Sequence, residues 1–102
     1  MIPPEKLRSI RNDLPMHITI ARLGRRGPPG KMIEGYFRFL CPRCCEMQAT
    51  VNPRNNLAHC FHCGQNYNNI DLLLEYEYDF LSAVDLLDNW LIQHQRNSKS
   101  SG

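Results

Sequence analysis

"CPRCCEMQATVNPRNNLAHCFHCG", residues 41–64, holds all five cysteines of the chain and two of its four histidines. Within it, Cys41-Pro-Arg-Cys44 and Cys60-Phe-His-Cys63 are two Cys-x-x-Cys pairs separated by fifteen residues. Such spacing belongs to structural zinc sites. Each pair turns tightly enough to aim two sulfurs at one point. A hairpin between the pairs brings the second beside the first and completes a tetrahedron with Zn–S distances of about 2.3 Å. Gly64, directly after the last cysteine, lets the backbone turn away without a Cβ penalty. The sequence therefore predicts one Zn2+ on Cys41, Cys44, Cys60 and Cys63. A closed four-thiolate site has no open position for water or substrate, so its task is to hold a fold together. A four-thiolate iron site would use the same pairs and carry electrons, whereas a dithiol redox motif needs only one pair. Cys45 reads as a spare thiol pointing away from the metal. His59 reads as a packed ring and His62 as a surface donor, with histidine ligation as the alternative.

Outward from this stretch, "MIEGYFRFL" (32–40) alternates and is aromatic, which predicts a strand with Phe37 and Phe39 on the core side and Tyr36 and Arg38 opposite. "QATVN" and "LAHCF" predict two more strands around a "PRNN" turn. Before them, "IPPEKLRSIRNDL" predicts a short helix, started by Pro3 or Pro4, with Leu7, Ile10 and Leu14 on one face. "MHITIARL" fits a strand or a helix, and "GRRGPPGK" is a loop with two arginines. After Gly64, an Asn cap precedes Ile70, Leu73 and Leu74 at helical spacing. Asp79 then caps a second helix with a stripe of Phe80, Ala83, Val84, Leu87 and Leu91. The expected fold is a small α+β domain over residues 1–95: a zinc ribbon with a three-stranded antiparallel sheet, an N-terminal helix and two C-terminal helices packed on it. Residues 96–102 read as a polar, flexible tail.

The chain has 102 residues, a size at which one domain profits from an extra staple. No apolar run is long enough to cross a membrane. The N-terminus has no apolar signal core, so the expected location is the cytoplasm, where clustered thiols bind metal rather than pair. The net charge of +2 hides an asymmetry: residues 1–63 carry +6 and residues 64–102 carry −4. A basic front suggests an anionic partner, against the plainer reading of an ordinary charged surface.

"FRFLCPRC" followed by "TVNPRNNLAHCFHCGQNYNNIDLLLEYEYDFLSAVDLL" resembles the zinc-binding domain of bacterial replicative DNA primases. The resemblance rests on Cys41-Pro42, Cys60-Phe61-x-Cys63-Gly64, Asn68, Ile70-Asp71, and Ala83-Val84 with Leu87, and spans about residues 2–94. The family's second ligand is histidine where this chain has Cys44. Its Thr-Pro-Ser segment is replaced by "EMQA", and a usual glycine by Tyr67.

The resemblance implies a DNA-binding module that contacts single-stranded template in primer initiation, with a primase catalytic chain or a helicase as further partner. Family primases are nucleotidyltransferases. Here Asp71, Asp79, Asp85 and Asp88 read as caps and solvated faces rather than a catalytic cluster, so activity of this chain alone is not expected. The candidates for phosphate contact are Arg25, Arg26, Lys31, Arg38, Arg43 and Arg54. Tyr36, Phe61 and Tyr67 are candidate stacking surfaces, the mixture that single-strand binders use. Two other readings stand beside this one: a zinc-ribbon adapter between proteins, and a primase subunit acting in trans with a separate catalytic chain.

Overall fold

The structure is a computed structural model describing residues 2–100, with side chains described for residues 2–97. Helix α1 (Pro4–Asp13) begins on a proline whose missing N–H is no loss in a first turn. Helix α2 (Met16–Leu23) follows after the single link Leu14-Pro15. Its buried positions are Met16, Thr19, Ile20 and Leu23, a helical set. This resolves the ambiguity of "MHITIARL": one inner position is a threonine, which an apolar pattern passes over. A short 3-10 turn (Gly24–Arg26) leads into the sheet.

The sheet has five antiparallel strands in sequential order, not three. They are β1 (Gly30–Ile33), β2 (Tyr36–Phe39), β3 (Ala49–Asn52), β4 (Leu57–Cys60) and β5 (Asn66–Tyr67). The stretch read as one strand over 32–40 is a hairpin. Glu34 and Gly35 both take positive φ, 51° and 87°, the two-residue turn whose twist matches the flanking strands. The strand β5 is only two residues long and pairs with β4 after Gly64 has turned the chain back.

Register divides the sheet cleanly. Phe39, Ala49 and Cys60 oppose one another on the inner face, as do Val51, Ala58 and Tyr67, and all six are buried. The outer face carries the row Lys31, Arg38, Thr50, His59 and Asn66. Phe39 is fully buried, whereas Phe37, expected in the core, is half-buried at the hairpin end, 6.4 Å from Phe39 ring to ring.

Helix α3 (Asn69–Leu74) is capped as its sequence predicts. The Asn68 side chain accepts from the Asp71 backbone, and the Asp71 carboxylate accepts from Asn68 N–H. Ile70, Leu72 and Leu73 are buried, but Leu74, expected in the core, is exposed. Helix α4 (Phe80–Ser100) starts at Asp79, whose carboxylate accepts from Ser82 N–H and is held below its ordinary range by that bond. Ala83, Val84, Leu87 and Leu91 join one core with Ile10, Leu14, Ile20, Leu73 and the inner sheet. The helix continues through the polar segment from residue 96 as far as Ser100; residues 101 and 102 of the expected tail lie outside the described residues.

Two buried asparagines hold the α1–α2 turn. Asn56 donates to the carbonyls of Arg11 and Leu14 and accepts from Met16 N–H. Asn69 donates to the carbonyls of Ile10 and Leu14 and accepts from the Thr19 hydroxyl. Neither helix supplies its own side-chain cap here, so these amides satisfy groups that would otherwise be orphaned.

Candidate metal centre

The two Cys-x-x-Cys turns are built alike. In the first, Cys41 N–H donates to Glu46 C=O and Cys45 N–H to Cys41 C=O. In the second, Cys60 N–H donates to Gln65 C=O and Gly64 N–H to Cys60 C=O. Each turn closes through a residue in the left-handed region, Cys45 at φ 60° and Gly64 at φ 80°. The fifth cysteine thus occupies the position that glycine fills in the second turn, and its side chain is exposed. A non-glycine residue there carries a steric cost of about 1 kcal/mol. Cys45→Gly is therefore expected to keep the metal and raise stability by about that amount, checked by urea unfolding alongside metal content.

The four remaining sulfurs converge. All lie within 4.8 Å of one another, with Cys41 and Cys63 at 3.7 Å and Cys44 and Cys60 at 3.5 Å. Zn–S bonds of about 2.3 Å in a tetrahedron require sulfurs about 3.8 Å apart, so the cluster fits. The same distances are far too long for a disulfide, and all five cysteines are free. Cys41 and Cys60 are buried at strand ends; Cys44 is half-buried and Cys63 exposed.

The electrostatics also favour a cation. Burial resists ionisation of Cys41, but the Tyr67 hydroxyl at 3.1 Å and the backbone N–H groups of Cys44 and Arg43 bring it down to about 6. Burial and the neighbouring thiols push Cys44 up to about 12. For Cys63, exposed as a residue, the Gln65 backbone opposes the rise, yet partial desolvation of the sulfur and the thiols of Cys60 and Cys41 still leave it raised. Four thiols this close cannot all ionise unless a cation sits among them. A set of four sulfur donors with no open position suits zinc in a structural role.

Tyr67 was a candidate stacking ring. It is instead buried, 1% exposed, with its hydroxyl on Cys41. Burial and the neighbouring Cys41 raise its own pKa, so it stays a donor to the cluster, the kind of outer partner that orients a metal ligand. Its placement follows from β5, which the sequence pattern did not separate from the loop.

The candidate nucleic-acid residues do not all share one surface. Lys31, Tyr36 and Arg38 lie on the outer face of the sheet, opposite the helices. Tyr36, Arg38 and Phe61 line a groove of about 390 Å³ there, together with Thr50 and His59. Phe61 is 71% exposed and meets the His59 ring edge-on at 4.8 Å. His59 in turn donates from Nδ1 to the Asn66 side-chain oxygen. Arg43, expected to border this face, turns away: it grips Glu75 through two bonds, 3.1 and 3.2 Å, which raise its pKa. Arg26 lines a cavity with Glu75, Tyr76 and Glu77 on the α3–α4 side, and Arg25 is exposed in the same 3-10 turn. Arg54 is exposed in the β3–β4 turn.

Thr50 and His59 were absent from the sequence-derived set. The signal for them is the register, which puts Arg38 opposite Thr50 and Thr50 opposite His59. No helix of the described residues is long and apolar enough to cross a membrane. No protein-family model matches the chain, and no curated protein matches it.

Proposed function

We propose that this chain is a zinc-ribbon module that binds single-stranded DNA on the outer face of its sheet. The resemblance to primase zinc-binding domains makes the template strand in primer initiation the specific ligand, with the module serving a primase catalytic chain in cis or in trans. The observation that carries the binding reading is a pair of atoms. Arg38 Nε and Thr50 Oγ1, opposite one another in register, are shielded from solvent and have no hydrogen-bond partner. Buried polar groups without partners are costly and rare. These two lie in a groove flanked by the exposed rings of Tyr36 and Phe61. A strand lying there would draw the Arg38 guanidinium outward, give it the partner it lacks, and stack its bases on the two rings.

The expected result is binding of a labelled single strand that weakens steeply with salt, with a log–log slope of about −0.7 per phosphate neutralised. Arg38→Gln should flatten that slope by about one phosphate's worth. Tyr36→Ala should cost roughly 1–3 kcal/mol if a base stacks on it. Zinc content must stay unchanged in both. Fluorescence anisotropy across a salt series reads all three, and absence of binding at low ionic strength would remove the proposal.

The adapter reading takes first place in that event, and one observation favours it. On α4, Leu81 is 69% exposed in a groove shared with Ile2, Pro3, Asp85 and the Lys6–Asp88 ion pair, so that Asp85 leaves the groove net acidic. A basic, apolar protein segment would fit that surface.

A further inference from the structure

The outer groove does not stop at Tyr36. A second cavity, of about 350 Å³, lies on the helix side of the β1–β2 hairpin and is lined by Pro15, His17, Met32, Phe37 and Pro53. Tyr36 and Val51 belong to the walls of both cavities, so the two meet at the hairpin end of the sheet. The rings of His17 and Phe37 stand 6.2 Å apart in the second cavity's wall. Met32 is 63% exposed and Tyr36 52%. Among the described residues, none that lines this cavity is acidic. The exposed residues next in sequence to its lining are of both signs, Arg11 and Asp13 beside Asn12, Glu34 beside Gly35 and Arg54 beside Pro53, so its apolar and aromatic walls carry the argument.

We infer that this cavity is a second nucleobase subsite, and that a single strand bound on the outer face bends around Tyr36 into it. The inference rests on the single-strand reading above. A planar base needs apolar or aromatic walls on its faces and a few polar atoms at its edge. Met32, Phe37 and His17 supply the walls; the Asn12 amide supplies both a donor and an acceptor. The path also gives Arg54 a task. It lies outside the outer groove, but a backbone turning past Tyr36 would carry a phosphate toward it.

The test uses the zinc-loaded chain and labelled oligodeoxynucleotides of increasing length at low salt. Affinity should rise as the strand grows from about four to about eight nucleotides, within the span of a small single-strand site. The rise should be about fivefold or more, the effect of one stacked base. Met32→Glu and His17→Ala should abolish that gain while leaving the affinity of the shortest strand unchanged. Both side chains are exposed, so neither substitution should disturb the core, and constant zinc content and melting temperature check this. A length-dependent gain that survives in both variants overturns the inference. So does a native chain whose short-strand binding needs Tyr36 but does not improve with length; the single-strand reading then stands without the second subsite. A native chain that binds no strand of any length removes both.

Discussion

Cys63→Ser is expected to abolish high-affinity zinc binding and to unfold most of the sheet. Cys63 is the exposed member of the four-thiol cluster, so serine there removes little packing of its own. What it removes is a thiolate from a set whose sulfurs lie within 4.8 Å. The cluster ties the end of β2, through Cys41, to the end of β4, through Cys60, and Tyr67 on β5 rests on the first of these sulfurs. Structural zinc contributes on the order of 10 kcal/mol at neutral pH, as much as the whole net stability of a domain this size. Without the metal, Cys41 and Cys60 become two buried thiols among partners that no longer converge. Thermal unfolding with and without a chelator, together with elemental analysis, measures this. The native protein should hold one zinc per chain and lose its cooperative transition on chelation. Acid should act in the same direction, since protons compete with the metal for each thiolate. Cys45→Ser should keep both the metal and the transition. A Cys63→Ser protein with a full equivalent of zinc and an unchanged melting temperature would show that the ligand set is different, and iron in place of zinc would redirect the chemistry altogether.

The cluster could be read from the sequence because its information is local. Two short turns and one hairpin fix where four sulfurs go, and each turn is a matter of six neighbouring residues. The caps Asn68 and Asp79 could be read for the same reason. The sheet was harder. In "MIEGYFRFL" the dipeptide Glu34-Gly35 is a hairpin turn, but aromatic alternation on its C-terminal side hides the break. Read as a single strand, the stretch lacks β1 and, with it, the neighbour that sets Lys31 beside Arg38. Arg43 was misplaced for a different reason. Its partner Glu75 is far along the chain, and no local pattern records an ion pair across that separation. Tyr67 reads as a stacking candidate only as one of the aromatics among basic residues, a mixture that single-strand binders use. Its burial follows from a two-residue strand too short to leave a pattern.

The α1–α2 turn escaped the sequence altogether, and it leads to the second large expected effect. Asn69→Ala should destabilise the protein by roughly 3–5 kcal/mol. Its amide donates to Ile10 and Leu14 carbonyls at 2.9 and 2.7 Å, and its oxygen accepts from the Thr19 hydroxyl at 2.7 Å. Asn69, Thr19 and Leu14 have no solvent exposure, so water cannot replace what is lost. Each buried polar group left without a partner costs about 1–3 kcal/mol. Leu14 keeps one bond, from Asn56, which leaves the Ile10 carbonyl and the Thr19 hydroxyl as the main losses. Asn69→Asp should be worse than alanine, because it sets an acceptor against two carbonyls. Adding Thr19→Val to Asn69→Ala should recover part of the loss, since it removes the orphaned hydroxyl; the coupling should fall at about 0.5–3 kcal/mol. Urea unfolding at saturating zinc measures the series. A loss below about 1 kcal/mol for Asn69→Ala would mean that the turn is held by its apolar contacts and not by the amide. Zinc content should stay at one per chain while the fold persists, because Asn69 touches none of the sulfurs. The turn it braces carries Pro15 and His17, two walls of the cavity behind Tyr36. A chain loosened there should keep its metal and its short-strand binding, and lose the gain that comes with a longer strand.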